Sequence, residues 1–363
     1  MATFRIDPVH EADLPAIADF LETAARMRPD ASELELADTS APAVLRRLRW
    51  RLLQNPARRD DLELGQVVRD DSGRVQGVHL LFPSHYRHGA RRLLGVCSGY
   101  FFVAPEARMQ GFFMFRRTLG LKGIDLLFAT TCNANSAALW AKVGGQAVPG
   151  SEYEYLLPVR FGPVAEEVVL RKGWGKAAAT AARMAGTIVS PMMGLGGGGP
   201  WRLAPTDDFA HLAAIAEENR DPAILAADRS APYLRWRFAD TPQASSTDLL
   251  VFSTASGRSG WVAARRWTRG RRGQIRALLI LDAVAPSDGF DPSSLYASLV
   301  DHYAGRIDLI SAQGDPRFWG MGQVRRLHAR HLGNPRAFAR GSLDGLSAAS
   351  LLRLMPADGD TCD

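Results

Sequence analysis

The sequence predicts an α/β (α+β) protein of two tandem domains, each a mixed, mainly antiparallel sheet flanked by helices. The first observation is an internal repeat, because Leu48-Arg49-Trp50-Arg51 recurs 186 positions later as Leu234-Arg235-Trp236-Arg237. The second is that short apolar strands and amphipathic helices follow one another in the same order in both copies. Solenoid repeats run to roughly 20–50 residues, so this period indicates a duplicated domain.

In the first half, the periodicity of apolar residues and the turn residues predict each element in order. A helix over 43–53 carries the first repeat block and ends at Asn55-Pro56, because the residue before proline avoids the α region. Asp70-Asp71-Ser72-Gly73 is typical of the turn of a hairpin. The predicted strands are 4–6, 62–68, 75–82, 92–103, 124–130 and 152–158, and the predicted helices are 13–27, 43–53, 105–121 (after an opening loop) and 135–143.

The second half repeats this order after a connector. Residues 176–188 are alanine-rich and predict a helix, and the glycines at 194 and 196–199 predict a flexible link. We expect the helix to pack between the domains; contact with a membrane surface or an acyl chain is the alternative. The predicted domains are 1–163, a connector over 164–200, a degenerate copy over 201–345, and a C-terminal helix and tail over 346–363, with disorder after about residue 356.

The composition excludes several classes of protein. The 363 residues are 46% hydrophobic and 23% charged, without an apolar run of about 18 residues that would predict a membrane span. Three cysteines (Cys97, Cys132 and Cys362) lack the spacing of a zinc site or a disulfide framework, which predicts a cytoplasmic protein without a metal. The net charge of +6 favours anionic partners, although arginine-rich composition alone accounts for it. No aromatic-interleaved basic stripe indicates nucleic acid.

The segment from 96 to 120 carries the clearest chemical signal. An apolar strand runs into Ala104-Pro105-Glu106-Ala107-Arg108-Met109-Gln110-Gly111, and a helix follows. Free N–H groups and the positive dipole end at a helix N-terminus bind phosphate oxygens. Gly111 allows close approach of the backbone, and Arg108 adds positive charge. The segment therefore predicts a pyrophosphate site.

This order of elements resembles the GCN5-related N-acetyltransferase (GNAT) superfamily. The pattern Val103-x-Pro105-x-x-Arg108-x-x-Gly111 resembles its acyl-CoA pyrophosphate loop, and the segment from Asn135 to Gly145 resembles its Asn-x-x-Ala helix. The resemblance spans about residues 3–160, with a weaker version over about 201–340. It implies that the strand over 92–103, the third long strand, diverges from the next strand over 124–130. It also implies that the backbone of this strand pairs with the pantetheine arm of the cofactor. The cofactor-binding residues that it implies are Phe101, Phe102, Val103, Arg108, Met109, Gln110, Gly111, Phe112, Phe113 and Asn135.

Two departures from the family pattern affect the chemistry. Phe113 stands where a small residue usually ends the loop, and Trp140 stands where a tyrosine often protonates the leaving thiolate. Indole N–H donates a hydrogen bond but is not a useful acid. The third long strand also lacks a carboxylate, so the acid and the base must come from elsewhere.

The catalytic candidates are His79, Ser98 and Tyr100. His79 alternates with apolar residues on a strand, and a histidine with a pKa near neutrality deprotonates an ammonium group. An ordinary strand histidine and a core tyrosine are the alternatives for His79 and Tyr100. Three further candidates, His85, Tyr86 and His88, are expected in a loop.

The second half has lost the pyrophosphate features. Its aligned segment retains Pro286, lacks the arginine and contains Asp288 and Asp291, which repel phosphate. We expect this half to brace the first or to shape the acceptor pocket, with Asp282 in a structural role. The repeat blocks are expected to pack each helix on its own sheet.

The resulting hypothesis is transfer of an acyl group from acyl-CoA to an amine. Five phenylalanines near the loop favour a long acyl chain and a lipid-like amine such as a sphingoid base, in a lipid or cell-envelope pathway with peripheral membrane contact. One alternative is a non-catalytic CoA-binding or scaffold protein. The other is an aminoacyl-tRNA-dependent transferase of the peptidoglycan type.

Overall fold

The computed structural model describes residues 3–26, 38–193, 198–270, 273–286, 288–314, 324, 327–343 and 345–359. Within these ranges, no helix combines the length and the hydropathy needed to cross a bilayer. The predicted glycine link falls largely on 194–197, outside the described residues. The same holds for the C-terminal end of the first predicted helix, at Met27.

The first half follows the predicted order of elements, but one strand is longer than predicted. β3 continues to His88 instead of ending at residue 82, so His85, Tyr86 and His88 lie in a strand and not in a loop. The elements are β1 (Phe4–Pro8), α1 (Leu14–Arg26), α2 (Ala41–Leu53), β2 (Gly65–Asp70), β3 (Val75–His88), β4 (Arg91–Val103), α3 (Arg108–Leu119), β5 (Leu126–Ala129), α4 (Ala134–Lys142), β6 (Gln146–Ala147) and β7 (Tyr153–Pro158).

The second half repeats the pattern after two connector helices. These connector helices are α5 (Phe161–Arg171) and α6 (Gly175–Met193). The remaining elements are β8 (Ala204–Pro205), α7 (Phe209–Glu218), β9 (Ala226–Ala227), α8 (Ala231–Phe238), β10 (Thr247–Ser253), β11 (Ser259–Arg269), β12 (Ile275–Val284), α9 (Pro292–His302), β13 (Leu309–Gln313), β14 (His328–His331), β15 (Phe338–Arg340), β16 (Ser342–Leu343), β17 (Leu346–Ser347) and α10 (Ala348–Leu351).

Two mixed sheets result, and each contains a strand from the other half. The first has the order β1-β2-β3-β4-β5-β15-β6, and the second β14-β7-β13-β12-β11-β10-β8. The pairs β4–β5 and β12–β13 are parallel, and the other pairs in these two orders are antiparallel. The predicted class, a mixed and mainly antiparallel sheet flanked by helices, is confirmed. The boundaries at 163 and 201 stay predictions, and β7, β9 and β15 each pair with strands of the other half.

A buried carboxylate anchors the exchanged strand β7. Glu154 accepts hydrogen bonds from Arg269 at 2.6 and 3.0 Å and from the Ser311 hydroxyl at 2.8 Å, and Arg330 lies at 2.9 Å. Burial acts to raise the pKa of Glu154, but the Arg269 and Arg330 guanidinium groups outweigh it and hold the pKa below its ordinary value.

Glu154→Gln is expected to lower the free energy of unfolding by about 3 kcal/mol at neutral pH, because it leaves Arg269 buried without a counter-charge. Because folding lowers the pKa of Glu154, its ionised carboxylate stabilises the fold at pH values above the unfolded pKa of about 4.3. This stabilisation is lost as the pH falls through the pKa of the folded state. Urea unfolding over a pH series should therefore show the two proteins converging below about pH 4. Glu106→Gln at an exposed site is the control. A difference independent of pH would contradict an ionised Glu154.

The repeat blocks meet at the interface between the halves. The rings of Trp50 and Trp236 stack with centroids 5.0 Å apart. Each indole N–H donates to the backbone carbonyl of the other residue, at 3.0 and 3.1 Å. Trp50 belongs to a core cluster otherwise made of second-half residues, so the expected packing on its own sheet is wrong for Trp50, whereas Trp236 packs on its own sheet as expected. The reciprocal contact marks a pseudo-two-fold axis.

Residues 356–359 are ordered between the halves, contrary to the expected disorder, and 360–363 lie outside the described residues. Pro356, Ala357 and Asp358 are buried. The Gly359 carbonyl accepts hydrogen bonds from Arg51 at 3.0 Å and from Arg237 at 3.1 Å, the repeat-related arginines of the two blocks. The arginines therefore hold a shared segment instead of pairing locally.

Candidate acyl-transfer site

The sheet of the first half opens between β4 and β5. These parallel strands pair only at Gly95–Leu126, Val96–Leu127 and Cys97–Phe128. From Ser98 onward, β4 pairs with β3 alone among the described residues. The edge of β4 that faces β5 is therefore available to an extended ligand over residues 98–103.

A bulge bends β4 at the start of this opening. The ladder passes from Leu80–Gly99 to Val78–Phe102, so Tyr100 and Phe101 lie opposite His79 alone. Tyr100 has φ +47°, a left-handed conformation that is costly for an aromatic residue. Bulges increase the local twist and redirect side chains, which separates the end of β4 from β5.

Helix α3 begins directly after the opening, with its N-terminus uncapped. A 3-10 turn over Pro105–Ala107 leads into α3, and neither start has a side-chain cap. The N–H groups of Ala107 and Arg108 donate to the backbone carbonyls of Ala104 and Pro105. Arg108 is exposed. The predicted anion site thus has a positive side chain and a helix start without a capping side chain.

Gly111 has a different role from the one predicted. It lies inside α3 and is buried, and a Cβ atom there would lie 3.3 Å from a Val103 methyl and 3.4 Å from the Phe101 ring. The glycine therefore lets the helix approach the end of β4, and its surroundings are side chains of this strand.

The outer face of α3 exposes three large apolar residues. Met109 is 69% exposed, and Phe112 and Phe113 are 49% exposed each, with their rings in edge contact at 5.9 Å. Gln110 is partly buried. Positions i, i+3 and i+4 lie on one helix face, so these residues form an apolar surface at the entrance to the opening.

A buried polar chain lies between the sheet and α3. His79 Nε2 is 2.6 Å from Ser98 Oγ, and His79 Nδ1 is 3.2 Å from Thr118 Oγ1. Gln66 Nε2 donates to Thr118 Oγ1 at 3.0 Å. The Thr118 hydroxyl also donates to the Met114 carbonyl at 3.2 Å. When its proton lies there, His79 Nδ1–H donates to Thr118 and the Ser98 hydroxyl donates to His79 Nε2; in the other tautomer His79 Nε2–H donates to Ser98.

His79 is not poised near neutrality. Its side chain is fully buried against the rings of Phe101 and Phe115, at 4.6 and 6.2 Å. This burial lowers the pKa of His79 to about 3. The imidazole is neutral at pH 7 and is a weak base, so the expected proton-accepting histidine is corrected to a neutral hydrogen-bonding group.

Tyr100 lies on the opposite face of the sheet. It packs edge-on against Phe82 at 5.9 Å, on the side covered by α1 and α2. The structure thus brings together two of the three catalytic candidates, His79 and Ser98. Of the further candidates, Tyr86 is fully buried and its neighbours His85 and His88 lie near the far end of β3.

The helix after β5 begins with a different asparagine from the one predicted. Asn133 caps α4, since its side chain accepts from the Ser136 N–H at 3.0 Å and the Ser136 hydroxyl accepts from the Asn133 N–H at 2.9 Å. Asn135 is an exposed residue in the first turn. Trp140 is buried against Phe115, ring centroids 5.2 Å apart. The Asn-x-x-Ser spacing is a capping signal that identifies Asn133.

The equivalent helix of the second half is closed to anions. The Asp291 carboxylate caps α9 by accepting from the N–H groups of Ser293 and Ser294, each at 3.0 Å. A carboxylate thus caps α9, whereas α3 has no capping side chain. Asp282 makes a bidentate pair with Arg229 at 3.0 Å, which supports its predicted structural role.

Sequence reasoning missed Gln66 and Thr118, since neither belongs to a recognisable motif. Two cavities of about 320 Å3 each adjoin residues of both halves, and no predicted site residue lines either. Among the described residues, no cluster of three or more His, Cys, Asp or Glu side chains is arranged to hold a metal.

Comparison with solved structures identifies the fold. A GCN5-related N-acetyltransferase from Anabaena variabilis is 13% identical, with a TM-score of 0.57 over 93% of this chain and 72% of that one. The N-myristoyltransferase of Saccharomyces cerevisiae with bound myristoyl-CoA is 11% identical, with a TM-score of 0.56 over 93% and 82%. A probable N-acyltransferase from Enterococcus faecalis is 13% identical, with a TM-score of 0.54 over 94% and 72%.

The sequence matches no protein-family model and no curated protein. The solved structures match over more than nine-tenths of the chain, so the likeness covers both halves. The resemblance predicted from the loop and from the order of elements is confirmed at the level of the fold. The chain has the fold of the GNAT N-acyltransferases, built from two tandem copies.

Proposed function

We propose that this protein is an acyl-CoA-dependent N-acyltransferase whose first half holds the donor. The observation that carries the proposal is the opening of β4 from β5 directly before the uncapped N-terminus of α3. An open strand edge fits the amide groups of a pantetheine arm, and an uncapped helix N-terminus fits a pyrophosphate. Asp291 blocks the equivalent position in the second half.

The reaction would proceed by direct transfer. The amine nitrogen attacks the thioester carbonyl carbon, the C–N bond forms and the C–S bond breaks. The amine loses one proton and the thiolate gains one. Ser98 adjoins the last residue of β4 that pairs with β5. In the tautomer with the His79 proton on Nε2, the Ser98 O–H would donate to the developing negative charge. His79 is then a positioning residue, because it acts through Ser98.

A long acyl chain is the finer part of the proposal. The apolar surface of Met109, Phe112 and Phe113 lies at the start of α3, where the donor would enter. One of the matching structures contains bound myristoyl-CoA. We propose a long-chain donor and a lipid-like amine, such as a sphingoid base, as acceptor, within lipid or cell-envelope chemistry.

One observation favours a second candidate, a non-catalytic CoA-binding protein. The lowered pKa of His79 removes the most obvious base of the site, and Trp140 offers no acid. Saturable release of free thiol from an acyl-CoA in the presence of amines separates the two functions, because a binding protein releases none.

Arg108→Glu is expected to weaken acyl-CoA binding about 10-fold to 100-fold, since it replaces a favourable charge at the phosphate site by a repulsive one. Thermal shift with CoA and with acyl-CoAs from acetyl to palmitoyl measures the effect. A shift that grows with chain length would support the long-chain donor. Arg235→Glu makes the same charge change on an exposed helix of the second half. Equal shifts in wild type and Arg108→Glu would sink the donor-site assignment.

A further inference from the structure

The connector helices form a hairpin with an unusual distribution of polar groups. Arg183 of α6 pairs with Glu166 of α5 at 2.9 Å, and the Ser190 hydroxyl accepts from the Phe161 N–H at 2.8 Å. Arg183 and Ser190 of α6 thus contact its partner helix. An ordinary surface helix places its polar residues toward solvent.

The outer face of α6 is apolar. Ile188 is 72% exposed and Met184 63% exposed, and they share this face with Ala177, Ala181 and Ala185, all exposed. These five residues lie within about 100° of one another around the helix, opposite Arg183 and Ser190. The expected packing of this helix between the domains is therefore incorrect, since it packs on α5 and leaves this face uncovered by the described residues.

The hairpin holds this face rigidly. The helices meet at Gly162 and Gly186, where a Cβ atom on Gly162 would lie 2.4 Å from the Thr187 hydroxyl, and one on Gly186 would lie 2.9 Å from the Gly162 backbone. On the other side of α5, Glu167 accepts from Gln274 at 2.6 Å, which ties the hairpin to the second sheet.

The tip of the hairpin adds an aromatic ring and positive charge. Trp174 is 65% exposed, and the Lys172 ammonium group lies over its ring at 5.3 Å. Lys176 is exposed in the first turn of α6. The sequence contains no aspartate or glutamate from 168 to 193. Apolar side chains, an interfacial tryptophan and uncompensated cations are the combination that binds an anionic lipid surface.

We propose that the α5–α6 hairpin docks the protein on an anionic bilayer, with the outer face of α6 and Trp174 inserted at the headgroup level. A second copy of the chain is a poorer occupant, because a two-fold contact pairs this face with itself and residues 168–193 contain no carboxylate to meet the lysines. An acyl chain is also a poorer occupant, because the outer face of a helix does not enclose it. The inference is independent of the proposed enzymatic function.

Cosedimentation of the full chain with phosphatidylcholine vesicles, with and without about one-third phosphatidylglycerol, tests the proposal. We expect binding to the anionic vesicles that weakens with salt. Two double variants, Met184→Gln with Ile188→Gln and Lys172→Glu with Lys176→Glu, should each reduce it roughly tenfold or more. Leu346→Gln, at a position 55% exposed in the second half, is the matched control and should bind like wild type.

Tryptophan fluorescence gives a second readout. Insertion should shift the emission to shorter wavelength in wild type, and Trp174→Phe should remove this shift. Binding that is equal on neutral and anionic vesicles, or unchanged in both double variants, would overturn the proposal. A second result would also overturn it: no binding to vesicles, together with a dimer in solution that the double variant Met184→Gln with Ile188→Gln dissociates. The outer face of α6 would then join two copies of the chain. The outer-face residues are exposed, so these variants should unfold like wild type.

Discussion

Trp50→Ala is expected to lower the free energy of unfolding by about 3–5 kcal/mol, a large part of the stability of an ordinary domain. Trp50 is 2% exposed and stacks on Trp236, and Arg237 lies over its ring at 5.2 Å. Removal of the indole leaves a cavity at the centre of the interface between the halves. It also leaves the Trp236 carbonyl without the donor that now satisfies it.

Urea unfolding followed by circular dichroism measures this effect, and Trp174→Ala is the matched control. Trp174 is 65% exposed, so its removal should change the free energy of unfolding by less than about 0.5 kcal/mol. Trp236→Ala should have a similar effect, because each tryptophan stacks on the other and donates to the other's carbonyl. A loss near 1 kcal/mol in both would contradict a stabilising tryptophan pair.

The repeat in the sequence was sufficient to predict the architecture, but not the strand exchange. Strand β7 and strand β15 have ordinary apolar patterns, and such a pattern does not specify which sheet a strand joins. The contacts that decide the matter are long-range ones, such as Glu154 with Arg269 and Arg330. The tryptophan pair was missed for the same reason, since a helical tryptophan packs equally well on its own sheet.

The parts of the candidate site that could be predicted are those whose backbone conformation is set by neighbouring residues in the sequence. The strand, the loop and α3 lie where residues 96–120 indicate, and the Asn-x-x-Ser capping pattern was readable. The contact between His79 and Ser98 depends on the register of β3 and β4. With β3 assumed to end at residue 82, this register could not be derived, because the turn at Gly89 that sets it was not recognised.

The two halves differ at the start of the helix where the proposed pyrophosphate site lies. No side chain caps the first turn of α3, whereas the Asp291 carboxylate caps that of α9. The second half instead contributes strand β15, half of the tryptophan pair and one of the two arginines on the Gly359 carbonyl. Under the proposed donor site, duplication followed by loss of one anion site would account for a repeat that is clear in structural residues and weak in the loop.

Ser98→Ala is expected to reduce kcat about 100-fold while the KM for acyl-CoA changes little. Loss of one hydrogen-bond donor to developing charge has this size, and the donor-binding groups lie elsewhere, at the end of β4 and the start of α3. Ser84→Ala is the matched control, since Ser84 is a buried serine of β3 whose hydroxyl makes no hydrogen bond with the described residues. Its kcat should equal that of wild type.

The pH dependence of kcat separates a positioning role of His79 from a role as base. Burial lowers the pKa of His79 to about 3. The pH profile of wild-type kcat should therefore contain no step near pH 6.5 that is due to His79, and the His79→Gln profile should have the same shape. His79→Gln should still reduce kcat, because the glutamine amide cannot hold a hydrogen-bonding group at the position that the imidazole nitrogen has beside Ser98. A step near pH 6.5 in wild type that disappears in His79→Gln would mean that the imidazole titrates during turnover. Ser98 would then be activated by a base, and a neutral His79 that only positions the hydroxyl would be rejected.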